Sequence, residues 1–156
     1  MRKKLALGAA TAVMASAVVA SFVLSSSATA ATTLTVIEHA VSDHVTDVGK
    51  TGLGPGDLLT FHNPIYDSTD ANKVGRDQGV CIRITQFRDN SKGSWECEWT
   101  TFLNGGADSI TVETPYYDTG LGTGAITGGT GAYVGAGGSL DLSCTQDECT
   151  FTFNLA

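Results

Sequence analysis

From Thr33 onward, apolar and polar residues exchange places with a period of two in short runs. Ser94-Trp95-Glu96-Cys97-Glu98-Trp99 and Ser139-Leu140-Asp141-Leu142-Ser143-Cys144 are examples. That period sends successive side chains to opposite faces of an extended backbone, so each run predicts a strand with one buried face. Beyond Ala31 no stretch of eleven or more residues carries helical spacing. Runs bounded by Gly, Asp and Asn predict strands near 33–39, 58–63, 74–87, 94–103, 109–114, 125–127, 139–144 and 149–155. The chain is therefore read as all-β, one domain with about eight strands.

Residues 41–55, with Gly49, Gly52, Gly54 and Pro55, form the one long connection without a pattern, either a binding loop or a solvated surface loop. Residues 74–103 allow register to be worked out. A hairpin centred on Asp89 sets Cys81 opposite Cys97, Arg83 opposite Trp95 and Gly79 opposite Trp99, all on one face. Val80, Ile82 and Ile84 take the other face, across from Glu96 and Glu98. Directly opposed cysteines can be bridged, which predicts a Cys81–Cys97 disulfide. A second hairpin around Gln146-Asp147 opposes Cys144 and Cys149 in the same way. Nine glycines between Gly120 and Gly138 do not read as a phosphate cradle, because a strand rather than a helix follows them. They read instead as bulges, corners and close approaches.

Composition changes this picture mainly at the N-terminus. Arg2, Lys3 and Lys4 precede an apolar run from Leu5 to Leu24 and the small-residue site Ala28-Thr29-Ala30, the pattern of a secretory signal peptide over residues 1–30. The alternative is an uncleaved membrane anchor. Cleavage leaves residues 31–156 as the mature domain, secreted and extracellular, with six Lys and Arg against sixteen Asp and Glu. Such an acidic chain is disfavoured as a partner of nucleic acid or of an anionic membrane. Export also favours disulfides over zinc for the four cysteines. His39, His44 and His62 with Asp43 are too scattered to form a metal motif, so no metal is expected.

Three segments resemble the allene oxide cyclase and dirigent barrel proteins. They are Gly56-Asp57-Leu58-Leu59-Thr60-Phe61-His62-Asn63-Pro64-Ile65-Tyr66, Val74-Gly75-Arg76-Asp77-Gln78-Gly79-Val80-Cys81, and Ala125-Ile126-Thr127-Gly128-Gly129-Thr130-Gly131-Ala132-Tyr133 with Gly135-Ala136. Phe-x-Asn-Pro and Gly-Arg-x-Gln-Gly look like dirigent proteins, whereas Gly-x-Cys and Ala-Ile-Thr-Gly-Gly-x-Gly look like the cyclases. The resemblance implies an eight-stranded antiparallel closed barrel with a small apolar lumen, a homotrimer and no cofactor. It further implies a small apolar molecule whose cyclisation or coupling is steered stereoselectively by orientation and modest electrostatics. An enzyme of this kind would be an isomerase of the cyclase type.

Carried over residue by residue, the resemblance makes Glu38 a lumen acid that stabilises developing positive charge and Asn63 a holder of a bound water. Cys81 matches a lumen cysteine. Ala40 stands where the cyclases have a second asparagine, and Thr46-Asp47 where they have Ser-Pro. A Cys81–Cys97 bond would also remove the thiol, so the cyclase constellation is incomplete. Glu38 shares a face with Val36 and Leu34 and is either a ligand-facing acid or half of an ion pair at the mouth. Arg83 is either an internal cation, pairing with Glu38 or gripping a ligand carboxylate beside Trp95, or an exterior arginine lying over that ring. Trp95 and Trp99 are ligand platforms or core aromatics. Four tyrosines, among them Tyr116, cannot be ranked, and of Arg76 and Asp77 only one can face inward. The other functions considered are a non-catalytic carrier or scavenger of apolar ligands, and a structural protein whose narrow barrel is filled by its own side chains.

Overall fold

The structure is a computed structural model that describes residues 32–86 and 93–156. The leader and the hairpin tip at Asp89 lie outside the described residues. Ten strands follow in order: β1 (Thr32–His39), β2 (His44–Thr46), β3 (Leu58–Phe61), β4 (Pro64–Asp67), β5 (Lys73–Thr85), β6 (Ser94–Leu103), β7 (Asp108–Tyr117), β8 (Leu121–Thr130), β9 (Gly138–Cys144) and β10 (Glu148–Leu155). Two three-residue 3-10 turns accompany them. All pairings are antiparallel, in the order β2-β3-β5-β4-β1-β10-β9-β8-β7-β6, and β5 pairs with β6 to close the sheet. β3 pairs with residues 79–82 of β5 and β4 with residues 73–76, so the two short strands share one stave of an eight-stranded closed barrel.

Closure removes the exposed sheet edges and makes period-two alternation an inside–outside code. Ile65, Ile110, Val112, Leu140 and Phe153 have no exposed surface and fill much of the interior. Val80, Ile82 and Ile84 stand exposed on the outside of β5. The β5–β6 register is the expected one: Cys81 faces Cys97, Arg83 faces Trp95 and Gly79 faces Trp99. After Arg83 it slips by one, and Thr85 meets Ser94. Both disulfides, Cys81–Cys97 and Cys144–Cys149, are formed as the registers require.

The strand map differs from the sequence expectation in three places. β2 is three exposed residues with no buried face, so it has no alternation to read. β4 opens on Pro64, a residue without an N–H donor that sequence reading treats as a break. β8 has ten residues rather than three, because its glycines mask a strand that needs them. A Cβ at Gly124 would lie 2.3 Å from both the Glu113 carbonyl oxygen and the Thr114 Cβ, so only glycine lets β8 pack this close to β7. Among the described residues no helix is long and apolar enough to cross a membrane.

Candidate functional site

A cavity of about 70 Å³ opens inside the barrel, toward the end where β1 and β9 finish and β10 begins. β6 brings Trp99, β3 Phe61 and β10 Phe151, each inward by alternation. The Trp99 ring lies 5.1 Å from Phe151 and 6.2 Å from Phe61, centroid to centroid. Both disulfides form part of the wall, so Cys81 is present as half of a disulfide and offers no thiol. The polar part of the lining comes from Glu38 at the end of β1, Asp43 in the following loop and Tyr116 near the end of β7.

Asn63 organises the acids. It is buried, and its side-chain NH2 donates to Glu38 Oε1 at 2.7 Å and to Asp43 Oδ1 at 2.7 Å. Its side-chain oxygen accepts from the Val41 and Ser42 backbone N–H groups at 3.0 and 2.9 Å, which fixes the orientation of the amide. Its backbone N–H donates to Asp77 Oδ1 at 3.0 Å, and its carbonyl accepts from the Asp77 N–H at 2.9 Å. One asparagine thus joins the three carboxyl groups of Glu38, Asp43 and Asp77. Asn63 does not itself line the cavity; it holds Glu38 from behind.

Among the described residues none of these acids has a cationic partner, and burial acts accordingly. Glu38 is 5% exposed, and desolvation raises its pKa against the opposing hydrogen bond from Asn63. Asp77 is fully enclosed and pushed up to about 9, first by desolvation and then by the neighbouring charge of Glu38. Asp77 therefore carries a proton at neutral pH. Its Oδ2 meets no donor, as expected of the oxygen that holds that proton, and the Glu38 carboxylate is close enough to accept it. Tyr116 is raised by burial, with Asp118, Asp43 and Glu38 adding to the effect.

Arg83 is inside the barrel, 1% exposed, and its partner is Asp118 rather than Glu38. Nη1 and Nη2 reach Oδ1 and Oδ2 at 2.5 and 2.6 Å, and the guanidinium lies over Trp95 at 4.9 Å. Neither Arg83 nor Trp95 lines the cavity. Gly93 covers the pair, since a Cβ there would sit 1.9 Å from Arg83 Nη2 and 2.2 Å from Asp118 Oδ2. The imidazole of His39 joins Asp70 and Glu148 on the outside, at 2.7 and 3.8 Å, and stacks on Tyr66. Among the described residues this is the one group of potential metal ligands, and it contains none of His44, His62 and Asp43.

Of the predicted site residues, the cavity thus brings together Glu38, Trp99 and the four cysteines, with Asn63 behind Glu38. Sequence reading weighed Asp43, which sits on a loop without pattern, only beside the scattered histidines and not as a cavity acid, and it left out Asp118. It left Asp77 open, although alternation places Asp77 on the face of Gly79, Cys81 and Arg83.

Residues 38–155 match the model of the family described as allene oxide cyclase. A pyocyanin demethylase structure is 30% identical, with a TM-score of 0.69, over 80% of this chain and 100% of that one. The pterocarpan synthase dirigent protein GePTS1 is 18% identical, with a TM-score of 0.65, over 80% of this chain and 86% of that one. The Diels Alderase AbmU from Streptomyces koyangensis is 13% identical, with a TM-score of 0.56, over 83% of this chain and 71% of that one. These last two likenesses concern the fold alone.

Proposed function

This chain belongs to the allene oxide cyclase family, and from that premise we propose that its barrel binds a small, largely apolar molecule and steers its cyclisation or coupling. The observation that carries this reading is a buried carboxylate, Glu38, that faces an aromatic cavity and has no counter-cation among the described residues. A fixed negative group in a water-poor cleft stabilises positive charge that develops on a bound molecule, and it needs no reorganisation at the moment of reaction. The aromatic walls restrict the conformations the molecule can adopt. Asn63 holds Glu38 in place through its 2.7 Å hydrogen bond.

The cavity is small beside the roughly 300–1,000 Å³ usual for small-molecule sites. Enlargement falls to the connection between β1 and β3, which carries Asp43 and is largely exposed. We place the protein outside the cytoplasm, on the strength of the leader and the two disulfides. We also assign it a trimeric assembly, for which the exposed Val80, Ile82 and Ile84 supply an apolar face.

Native mass spectrometry of the mature protein from its producing culture would identify the retained molecule and the assembly. With that molecule as substrate, Glu38→Gln should lower the rate by about 10²-fold and erode product stereoselectivity, while the far-UV spectrum is unchanged. Unaltered rate and selectivity would remove Glu38 from the reaction. Binding without turnover in the unmodified protein would leave a carrier.

A further inference from the structure

On the outside of the barrel, three side chains from distant parts of the chain converge on one point. Alternation turns Glu38 inward and His39 outward at the end of β1. The β1–β10 register then sets Glu148 directly opposite His39, and the β4–β5 connection brings Asp70. His39 Nε2 lies 2.7 Å from Asp70 Oδ1 and 3.8 Å from Glu148 Oε1, and the three groups offer ligand atoms within 4.8 Å of one another. Tyr66 stacks on the imidazole at 4.3 Å with the two planes 22° apart, which holds the ring with that nitrogen toward both acids. The connection that carries Asp70 is itself fixed. Asp67 Oδ1 accepts from the Thr69 and Ala71 N–H groups, both at 3.1 Å, and Asp67 Oδ2 accepts from the Asn72 side chain at 2.7 Å.

A hydrogen bond accounts for only half of this arrangement. One ring nitrogen carries at most one proton and donates to one oxygen. Asp70 takes that place, and Glu148, at 3.8 Å, is beyond hydrogen-bond reach of the same nitrogen. Among the described residues no Lys or Arg bridges to either acid. A cation between the three groups satisfies all of them at once. Ligand atoms around a tetrahedral zinc ion, with bonds of about 2.0–2.1 Å, stand about 3.4 Å apart, and the two separations from Nε2 bracket that value. We infer that His39, Asp70 and Glu148 bind one divalent transition-metal ion of the zinc type. One imidazole nitrogen with two carboxylates suits such a metal, whereas calcium and magnesium call for shells of oxygen alone. The three side chains are 29, 38 and 51% exposed, so water can complete the shell. Positions 39, 70 and 148 form no sequence motif, and only the register assembles them. This site lies outside the lumen and does not depend on the function proposed above, but it adjoins the cavity wall. Glu38 and Cys149, the chain neighbours of His39 and Glu148, both line the cavity. The Ala40 N–H also donates to the Asp147 carbonyl at 2.9 Å. A metal here therefore braces β1, β10 and the β4–β5 connection against one another beside the cavity.

Zinc chloride titrated into the metal-free mature protein tests this by calorimetry and by 15N NMR of the imidazoles. The expected result is one ion per chain, with the His39 Nε2 resonance moved and those of His44 and His62 in place. His39→Phe keeps a ring on Tyr66 and removes the nitrogen. Asp70→Asn keeps an acceptor for the imidazole and suits the left-handed backbone at that position, where φ is 58°. Each substitution should weaken zinc binding by at least about tenfold and leave the far-UV spectrum unchanged. If His39→Phe folds poorly, Asp70→Asn reads the same loss. Zinc should also slow hydrogen exchange of the Ala40 amide in the unmodified protein and not in His39→Phe. Zinc bound as tightly by either variant, or a shift at His44 or His62 in place of His39, would mean adventitious surface binding and overturn the inference. Calcium bound as tightly as zinc would overturn the metal class. Absence of binding up to about 1 mM zinc would overturn the site and leave His39 and Asp70 as a hydrogen-bonded pair.

Discussion

The barrel buries charged side chains around Arg83 and around Glu38, and only around Arg83 do the described residues balance a charge with its opposite. Arg83 is enclosed and held by Asp118, its two terminal nitrogens bonded one to each carboxylate oxygen and its guanidinium lying over Trp95. Arg83 holds the Asp118 carboxyl below its usual range. At the other place Glu38, Asp77 and Asp43 gather around Asn63 with no cation among the described residues, and burial pushes Glu38 and Asp77 upward. A buried charge whose partner is supplied by the same chain is part of the fold. One that lacks a partner, and faces a cavity, is held ready for something from outside.

Removing one member of the balanced pair should have the largest effect. Asp118→Ala leaves Arg83 charged, enclosed and alone, and should destabilise the protein by about 3 kcal/mol, the low end for a broken buried pair because Asp118 is partly exposed. Arg83→Met removes the charge and keeps much of the volume, so it should cost less. Urea unfolding of the two variants gives the order directly. Equal losses would mean that packing against Trp95, rather than charge balance, holds this end of the barrel.

The unbalanced site should respond in the opposite direction. Asp77 in the folded protein is raised from its ordinary 3.8 to about 9, so between those values the folded state holds a proton that the unfolded state has released. Stability then falls as pH rises through that window, by up to about 1.4 kcal/mol per pH unit. Asp77→Asn keeps the acceptor for the Asn63 N–H, keeps a donor toward Glu38 and cannot ionise. It should raise the melting temperature at pH 7, raise it further at pH 8, and flatten the profile. A wild-type profile already flat from pH 5 to pH 8 would contradict the protonated Asp77.

Much of this contrast was legible in the chain before its structure. Alternation in β5 and β6 is strict, so register, the two disulfides and the shared face of Arg83 and Trp95 followed from counting, whereas which side of the sheet that face takes did not. What counting could not supply was partners across the barrel. Asp118 lies just after β7 and Asp43 in a loop, where no period constrains them, so Arg83 was open to pairing with Glu38 or a ligand. Asp77 was within reach of the same counting, but an acid between Arg76 and Gln78 reads as solvated polar sequence unless register overrides composition. β8 was hidden for the related reason that glycine lowers strand propensity at the positions where this barrel needs close approach.

Asp57 offers the smallest and finest test of the comparison, because it is a buried carboxylate balanced by backbone rather than by a side chain. It is fully enclosed, and it accepts from the Val48 and Gly54 N–H groups at 2.8 and 2.7 Å. Those bonds hold its pKa below the ordinary 3.8, with Arg83 contributing less. The sign is therefore the reverse of that for Asp77: its stabilisation is complete above pH 4 and is lost as pH falls through its lowered folded value. Asp57→Asn replaces one of the two accepting oxygens by an NH2 that faces a backbone N–H, so it should lower the melting temperature at pH 7 slightly and loosen the connection between β2 and β3, and a neutral protease should cut between Val48 and Gly54 faster than in the unmodified protein. In the unmodified protein pepsin should cut the same segment faster at pH 2 than at pH 4, after correction for its own activity, while the Asp77 proton stays in place. A segment equally resistant in both proteins would mean that Asp57 is merely enclosed, and that backbone donors do not balance a buried carboxylate here as Arg83 balances Asp118.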